Sequence, residues 1–180
     1  LDDDPTTGFV SPTGERGIDN AFYRALGCWK TFRGPPRLSS GALSSNDAMR
    51  DGAWTMVVVL EGRGQDPMND DDVTVGFYLS QDKLVKDAAG GVAPDYTFRI
   101  KPDRKLEAIF KARSVNGRIV STRPMDEVWM RDAGMARELQ LLKARLDLTL
   151  QPDGGLSGYV GGYRPWKPVY DGYVRARGPG

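Results

Sequence analysis

The stretch from Leu146 to Val160 constrains the fold of this chain more than any other. Its first part, Leu146–Leu150, alternates apolar and polar residues, which is the pattern of a strand with one buried face. The next segment, Pro152-Asp-Gly-Gly155, supplies the residues that a tight turn needs. Alternation then resumes over Leu156–Val160. The stretch therefore predicts a β-hairpin and an antiparallel β protein.

Other runs predict further strands. Asn116-Gly117 lies between two β-rich runs, which is a strong signal for a second hairpin. Val73–Ser80 and Tyr96–Lys101 alternate, whereas Ala53–Glu61 is continuously apolar in its middle and is expected to be a central strand covered on both faces. We expect a mainly β fold, an antiparallel β-sandwich or partly open barrel of about seven to eight strands.

The segment before the first hairpin fits two patterns. Met135, Leu139, Leu142 and Leu146 are spaced by four, three and four residues, as on one face of a helix. The same leucines also fit a long strand whose alternation shifts once, as at a β-bulge. We favour the bulged strand, because the alternation continues into the turn.

One short helix is expected near residues 20–27. Asp19 is a suitable N-cap, Phe22 and Leu26 lie one turn apart, and Gly27 suits the helix end. The following residues, 28–49, are expected to form a loop.

The length of 180 residues suits a single β-rich domain with its own core. We expect it to have an irregular N-terminal arm (1–17) and a C-terminal aromatic arm (164–180). The chain starts at Leu1, which fits a mature form without its export signal and equally a trimmed chain. The loops rich in Asp, Gly and Tyr favour a periplasmic or secreted protein.

Composition excludes several classes of function. Lys and Arg total 25 against 24 for Asp and Glu, so there is no overall charge that would favour nucleic acid as a partner. No apolar run approaches the roughly 20 residues of a membrane span. The chain has no histidine and one cysteine, Cys28. We therefore expect no histidine-based catalysis, haem, zinc site or disulfide, and no nucleotide motif is present. Cys28 is expected to be a buried small side chain.

A metal site in this chain would need oxygen ligands, which favours calcium. Oxygen-bearing side chains crowd one loop, and the predicted helix start adds another; the candidate metal ligands are Asp19, Asn69, Asp70, Asp71 and Asp72. Asp66 belongs to the same loop. No calcium motif is matched, so the alternative is a solvated acidic loop and an ordinary N-cap.

The C-terminal part of the chain is rich in aromatic residues. The candidate ligand-binding residues are Tyr159, Tyr163, Trp166 and Tyr170. Flat rings with polar tips suit a glycan or a protein partner. The alternative is that the tyrosines pack within the fold and that Trp166 fixes the arm to the sheet.

The leading functional hypothesis is a non-catalytic exported binding or structural module, stabilised by calcium and using its aromatic C-terminal face. One alternative is a carboxylate-based glycan hydrolase, with Asp126, Glu127 and Asp132 near Trp129 supplying the acidic pair. The other alternative is an accessory subunit of a periplasmic assembly.

Overall fold

The computed structural model describes residues 4–6, 10, 14, 16–17, 40–52, 55–132 and 137–176. The chain divides into two compact units, Leu1–Ala53 and Trp54–Gly180, and each is described by itself. The prediction of a single domain stays a prediction. The predicted helix at 20–27, Asp19 and Cys28 lie outside the described residues.

The second unit contains one antiparallel sheet of seven strands, curled into a half-barrel, and this confirms the predicted fold class. The strands are β1 (Met56–Gly62), β2 (Asp70–Leu79), β3 (Ala108–Val115), β4 (Arg118–Ser121), β5 (Met125–Asp132), β6 (Arg137–Leu150) and β7 (Leu156–Tyr163). A short 3-10 helix, Arg104–Leu106, precedes β3.

From β1 to β4 each strand pairs with the next one along the chain, and β6 then pairs with β4, β5 and β7. Leu142 of β6 lies opposite Glu127 of β5 on one side and Tyr163 of β7 on the other. Leu148 of β6 lies opposite Ile119 of β4 and a β7 residue in the same way. Therefore β4 and β5 share one edge of β6 and behave as a single interrupted strand. Pro124 lies in the interruption, where its missing N–H removes a ladder hydrogen bond.

Buried apolar side chains form one cluster on one face of the sheet, which we call the core face. Phe77 and Phe110 meet edge to face with ring centroids 6.0 Å apart. Each such buried ring contributes about 1.5–3 kcal/mol. The cluster consists of Val73, Val75, Phe77, Ala108, Phe110, Ala112, Ile119, Val128, Met130, Leu141, Ala144, Leu146 and Leu148. The opposite face, which we call the outer face, carries the charged residues that alternate with them.

Both predicted hairpins are confirmed. Asn116 and Gly117 join β3 to β4 with φ values of 49° and 78°, and two positive φ values are the mark of a type I′ turn. At the β6–β7 turn, the N–H of Gln151 donates to the carbonyl of Gly155 at 2.8 Å, and Gly154 has a φ of 82°.

The bulged strand is also confirmed. β6 runs unbroken through Arg137–Leu150, and its register with β7 shifts between Leu142 and Arg145. Leu141 and Ala144 are both buried, so the alternation changes parity between them. Lys143 takes the extra position with a φ of 51°.

Two strand predictions were wrong. β1 pairs with β2, and Val58, Val59 and Leu60 are exposed, so this apolar run belongs to an edge strand. Tyr96–Lys101 forms no strand; among the described residues its β contact is a single bridge from Ile100 to Ser80. Pairing partners decide both outcomes, and apolar content does not determine which partner a strand finds.

Two helices occur where sequence analysis predicted a loop and an arm. α1 (Ser40–Arg50) ends before Gly52, whose φ of 70° suits a helix terminus. α2 (Trp166–Ala176) follows Pro165 and tolerates Pro168 because the first turn of a helix needs no N–H donor there. Neither helix has the length and the apolar sequence that crossing a membrane would require.

Candidate functional site

The four predicted aromatic residues are all strongly exposed. Tyr159 is 76% exposed, Tyr163 75%, Trp166 73% and Tyr170 60%. Large aromatic side chains usually bury most of their surface, so four exposed rings within twelve residues of the sequence are a candidate for ligand binding. We call residues Tyr159–Tyr170 the aromatic segment. Its tyrosines are therefore not packed in the core, which was the alternative interpretation.

The strand β7 places two of these rings on the outer face of the sheet. Leu156 and Val160 pack against the core, so the alternating residues Tyr159 and Tyr163 point the other way. They lie four residues apart, which corresponds to about 13 Å along a strand. Gly161 lies between them and contributes no side chain.

Gly158 fixes the position of β7 against β6. It has a φ of 146°, and a Cβ at this position would lie 2.2 Å from the carbonyl oxygen of Asp147 and 2.7 Å from the Cα of Leu148. Only glycine permits this close approach of two backbones. The position of Tyr159, the next residue, therefore depends on Gly158.

The other two rings lie on α2, immediately after β7. Trp166 and Tyr170 are one helical turn apart and meet with ring centroids 6.1 Å apart at an interplanar angle of 63°. The Nζ of Lys167 lies 2.8 Å from the carboxylate of Asp171, an i,i+4 pair that supports the same turn. The helix therefore presents an aromatic pair at the end of the aromatic segment.

A polar row crosses the outer face beside Tyr159. Asp147 of β6 lies directly opposite Tyr159. Arg118 of β4 donates two hydrogen bonds to that carboxylate, from Nε at 3.0 Å and from an Nη at 2.6 Å. This hydrogen bonding by Arg118 lowers the pKa of Asp147, so the carboxylate is ionised at neutral pH.

The predicted metal loop is organised around Asp70. This carboxylate is buried and accepts hydrogen bonds from the N–H of Gly64 at 2.7 Å and of Asp72 at 2.9 Å. These backbone donors, Asp72 first, lower the pKa of Asp70. Its own N–H donates to the hydroxyl of Ser114 at 3.0 Å. Asp70 therefore holds the loop in place.

The neighbouring loop residues are engaged in the same way. Asp66 accepts hydrogen bonds from the amide of Asn69 and the N–H of Met68, which lower its pKa in that order. The side chain of Asn69 accepts the N–H of Asn116, which ties the loop to the β3–β4 turn.

Asp72 forms an ion pair with Arg63 at 3.1 Å and a longer one with Lys111 at 3.6 Å. Asp71 is exposed. Within the part of the chain that the structure describes, no three acidic or cysteine side chains form a group that could hold a metal ion. Asp19 lies outside that part. Calcium binding stays a prediction, and thermal melts in calcium and in chelator would test it.

The carboxylates considered for hydrolysis lie on β5. Asp126 is paired with Lys143, which lowers the pKa of Asp126, whereas a glycosidase acid needs a raised pKa. Glu127 accepts a hydrogen bond from Gln140. Trp129 is covered by the Nζ of Lys105, 4.0 Å from a ring centroid. The hydrolase hypothesis stays a prediction without a geometric argument in its favour.

Sequence analysis missed the charged residues that surround the tyrosines. Arg145 lies opposite Gly161, and Asp147 lies opposite Tyr159. The signal was present, since Arg145 and Asp147 alternate with the buried Ala144, Leu146 and Leu148. Their partners on β7 could not be assigned without the register.

Comparisons with family models, curated protein sequences and solved structures give no match.

Proposed function

We propose that this protein is a non-catalytic binding module whose aromatic segment binds a glycan chain. The observation that carries the proposal is the exposure of four aromatic rings, 60% to 76%, within the twelve residues of the aromatic segment. Burying such rings against a ligand recovers apolar surface that the folded chain leaves in water.

A glycan fits this surface better than a peptide helix or a small molecule. The flat faces of sugar rings can cover tyrosine and tryptophan rings, while Asp147 and Arg145 can hydrogen-bond to hydroxyl groups beside them. The two strand tyrosines are about 13 Å apart, which suits an extended ligand that passes over both. Small-molecule sites are usually concave and enclose their ligand, whereas these rings project into solvent.

Native gel electrophoresis in the presence of soluble polysaccharides tests the proposal. The wild-type protein is expected to migrate more slowly in gels that contain a bound polysaccharide. Tyr159→Ala and Tyr163→Ala should each weaken binding about threefold to tenfold, the loss of one ring contact. Tyr96→Ala is the matched control, because Tyr96 is also exposed but lies in the β2–β3 connection. Unchanged mobility with every polysaccharide would contradict the proposal.

The location of the protein is part of the same proposal. A glycan-binding module in the periplasm or outside the cell would meet polysaccharide there, in keeping with the expected export. Cell fractionation with an antibody against the native protein would test the location.

A second candidate function, an accessory subunit of an assembly, is favoured by the edge strand β1. Its residues Val58, Val59 and Leu60 are exposed, and its only charge is Glu61. Edge strands without proline or several charges can pair with a strand of another chain. Light scattering of the purified protein and of Val59→Lys would test this, since a complex formed through β1 should dissociate in the variant.

A further inference from the structure

The outer face near the aromatic segment is locally basic, although the whole chain is almost neutral. In β3, β4, β7 and residues 144–150 of β6, the charged residues are four basic and one acidic. They are Lys111, Arg113, Arg118, Arg145 and Asp147. Each alternates with, or adjoins, a buried residue of the core face, so all five point outwards.

Two of these basic residues keep their charge available for a ligand. Asp147 is paired with Arg118, and Lys111 is near Asp72. Arg113 and Arg145 form no ion pair with any side chain in the described ranges, and both are exposed. An arginine remains charged at every physiological pH and binds carboxylates through two parallel hydrogen bonds.

Arg145 is placed between the two strand tyrosines. It lies opposite Gly161, and Tyr159 and Tyr163 are two residues away from Gly161 on either side. Diagonal neighbours across a strand pair are about 7–8 Å apart, within reach of long side chains. Because Gly161 has no side chain, no β7 side chain lies between the two rings on the outer face, and Arg145 is the residue directly opposite that position.

Arg113 extends the same pattern across the sheet. One row across the sheet consists of Arg113, Val120, Asp147 and Tyr159, each lying opposite the next. Three strand spacings separate Arg113 from Tyr159, or about 14 Å. A ligand that extends from the tyrosines across the strands would therefore reach Arg113, the second arginine that forms no ion pair within the described ranges.

We propose that the glycan bound at the aromatic segment is acidic, and that Arg145 binds one of its carboxylates between Tyr159 and Tyr163. This inference rests on the proposed function, and it adds the chemical class of the ligand. Charge complementarity supports an anionic ligand, and the near-neutral chain supports spaced carboxylates over the continuous phosphates of a nucleic acid.

Isothermal titration calorimetry with matched polysaccharides tests the inference. The probes are polygalacturonate, alginate and hyaluronan, each compared with its own carboxyl-reduced form, which keeps the chain and removes the charge. We expect at least one acidic form to bind about tenfold more tightly than its reduced form, as a charge-assisted contact provides. Raising the salt concentration should weaken binding of the acidic form only.

Substitutions then identify the residue that binds the carboxylate of the ligand. Arg145→Ala should weaken binding of the acidic form about fivefold and leave binding of the reduced form unchanged, whereas Arg145→Lys should keep part of the difference because it keeps the charge. Arg104→Ala is the control, since Arg104 is an exposed arginine in the 3-10 helix. Tyr159→Ala should weaken binding of the acidic form and of the reduced form equally.

The outcomes separate the two proposals. If acidic and reduced forms bind equally, the glycan-binding function stands and the inference about charge is overturned. If no acidic or reduced polysaccharide binds, the proposed function fails and the inference fails with it. Tighter binding of a single-stranded oligothymidylate than of any polysaccharide would overturn both in favour of nucleic acid.

Discussion

The hydroxyl of Ser114 links three parts of the chain. Ser114 is 2% exposed on β3, donates its hydroxyl to the carbonyl of Pro67 at 2.9 Å and accepts the N–H of Asp70 at 3.0 Å. Residues from the β1–β2 loop, the start of β2 and β3 therefore meet at one oxygen atom. A buried polar group in such a position stabilises a fold only while every partner is satisfied.

Replacing Ser114 with alanine should destabilise the protein by about 1–3 kcal/mol, because one buried donor and one acceptor lose their partner. Urea denaturation followed by circular dichroism measures this free energy of unfolding. Ser157→Ala is the control: its hydroxyl accepts an exposed hydrogen bond from Gln151 at 2.7 Å, and losing a bond that water can replace should change the free energy by no more than about 0.5 kcal/mol. Equal effects of the two substitutions would show that the Ser114 hydroxyl does not anchor the loop.

The carboxylate of Asp70 makes the stability of the folded protein depend on pH. The pKa of Asp70 is lowered in the folded protein by the backbone donors of Asp72 and Gly64. A carboxylate whose pKa falls on folding stabilises the fold fully above its unfolded pKa, near 3.9, and loses that contribution as the pH falls through the folded value. Asp70→Asn should therefore destabilise the protein at pH 7, and its difference from wild type should shrink below about pH 4.

Urea titrations of wild type and Asp70→Asn at a series of pH values measure that difference. The other carboxylates with lowered pKa, including those of Asp82 and Asp147, act in the same direction but cancel between the two proteins. Asp71→Asn, at the exposed position next to Asp70 in β2, serves as the control at pH 7. A difference that stays constant down to pH 2 would mean that the Asp70 carboxylate contributes nothing.

At the scale of elements, the β6–β7 hairpin is the one on which the aromatic segment depends. Gly154 in its turn has a φ of 82° with no atom within 4 Å of a Cβ position, whereas a Cβ on Gly158 would meet the backbone of β6 at 2.2 Å. Gly154→Ala therefore adds only backbone strain, about 1–2 kcal/mol. Gly158→Ala adds a collision with backbone atoms and should cost at least about 3 kcal/mol.

Thermal melts of the two variants compare the effect of backbone strain with the effect of a steric collision between β7 and β6. Gly158→Ala should have the lower Tm and should also weaken polysaccharide binding, because it displaces the strand next to Tyr159. Gly154→Ala should leave binding unchanged at a temperature where it is folded. The same Tm for both variants would contradict the close approach of β6 and β7.

Local signals in the sequence predicted these elements well. The Asn116-Gly117 and Asp153-Gly154 turns depend on residues that tolerate positive φ, and the parity change near Leu142 is visible in the alternation of β6. Position in the sheet was harder to predict. β1 has the composition of a central strand but lies at an edge, because strand order is set by chain connections and not by the strand itself.

The helices were missed for a local reason. The first seven residues of α1 include Ser40, Gly41, Ser44, Ser45 and Asn46, which favour caps and turns in sequence analysis. α2 carries a proline in its first turn and was therefore expected to be an irregular arm. The aromatic residues of the candidate site were found from sequence, whereas Arg145 needed the register, since its neighbour Gly161 is sixteen residues later in the chain.

At the scale of the whole molecule, charge is distributed unevenly over an almost neutral chain. The core face of the sheet is apolar, and the outer face of β3, β4 and residues 144–150 of β6 carries four basic residues, of which Arg145 lies on the strand that pairs with β7. The formal net charge of +1 conceals this arrangement. Binding is therefore expected to depend on local contacts, with salt acting on the arginine contact and not on long-range attraction.

The most direct test of this account is to map the ligand surface by two-dimensional NMR. Backbone amide shifts of the labelled protein would be followed during titration with a polygalacturonate oligomer. The account predicts that the largest shift changes fall within residues 142–149 of β6 and 156–170 of β7 and α2. Changes confined to the Arg63–Asp72 loop or to β1, or no change at any oligomer concentration, would contradict it.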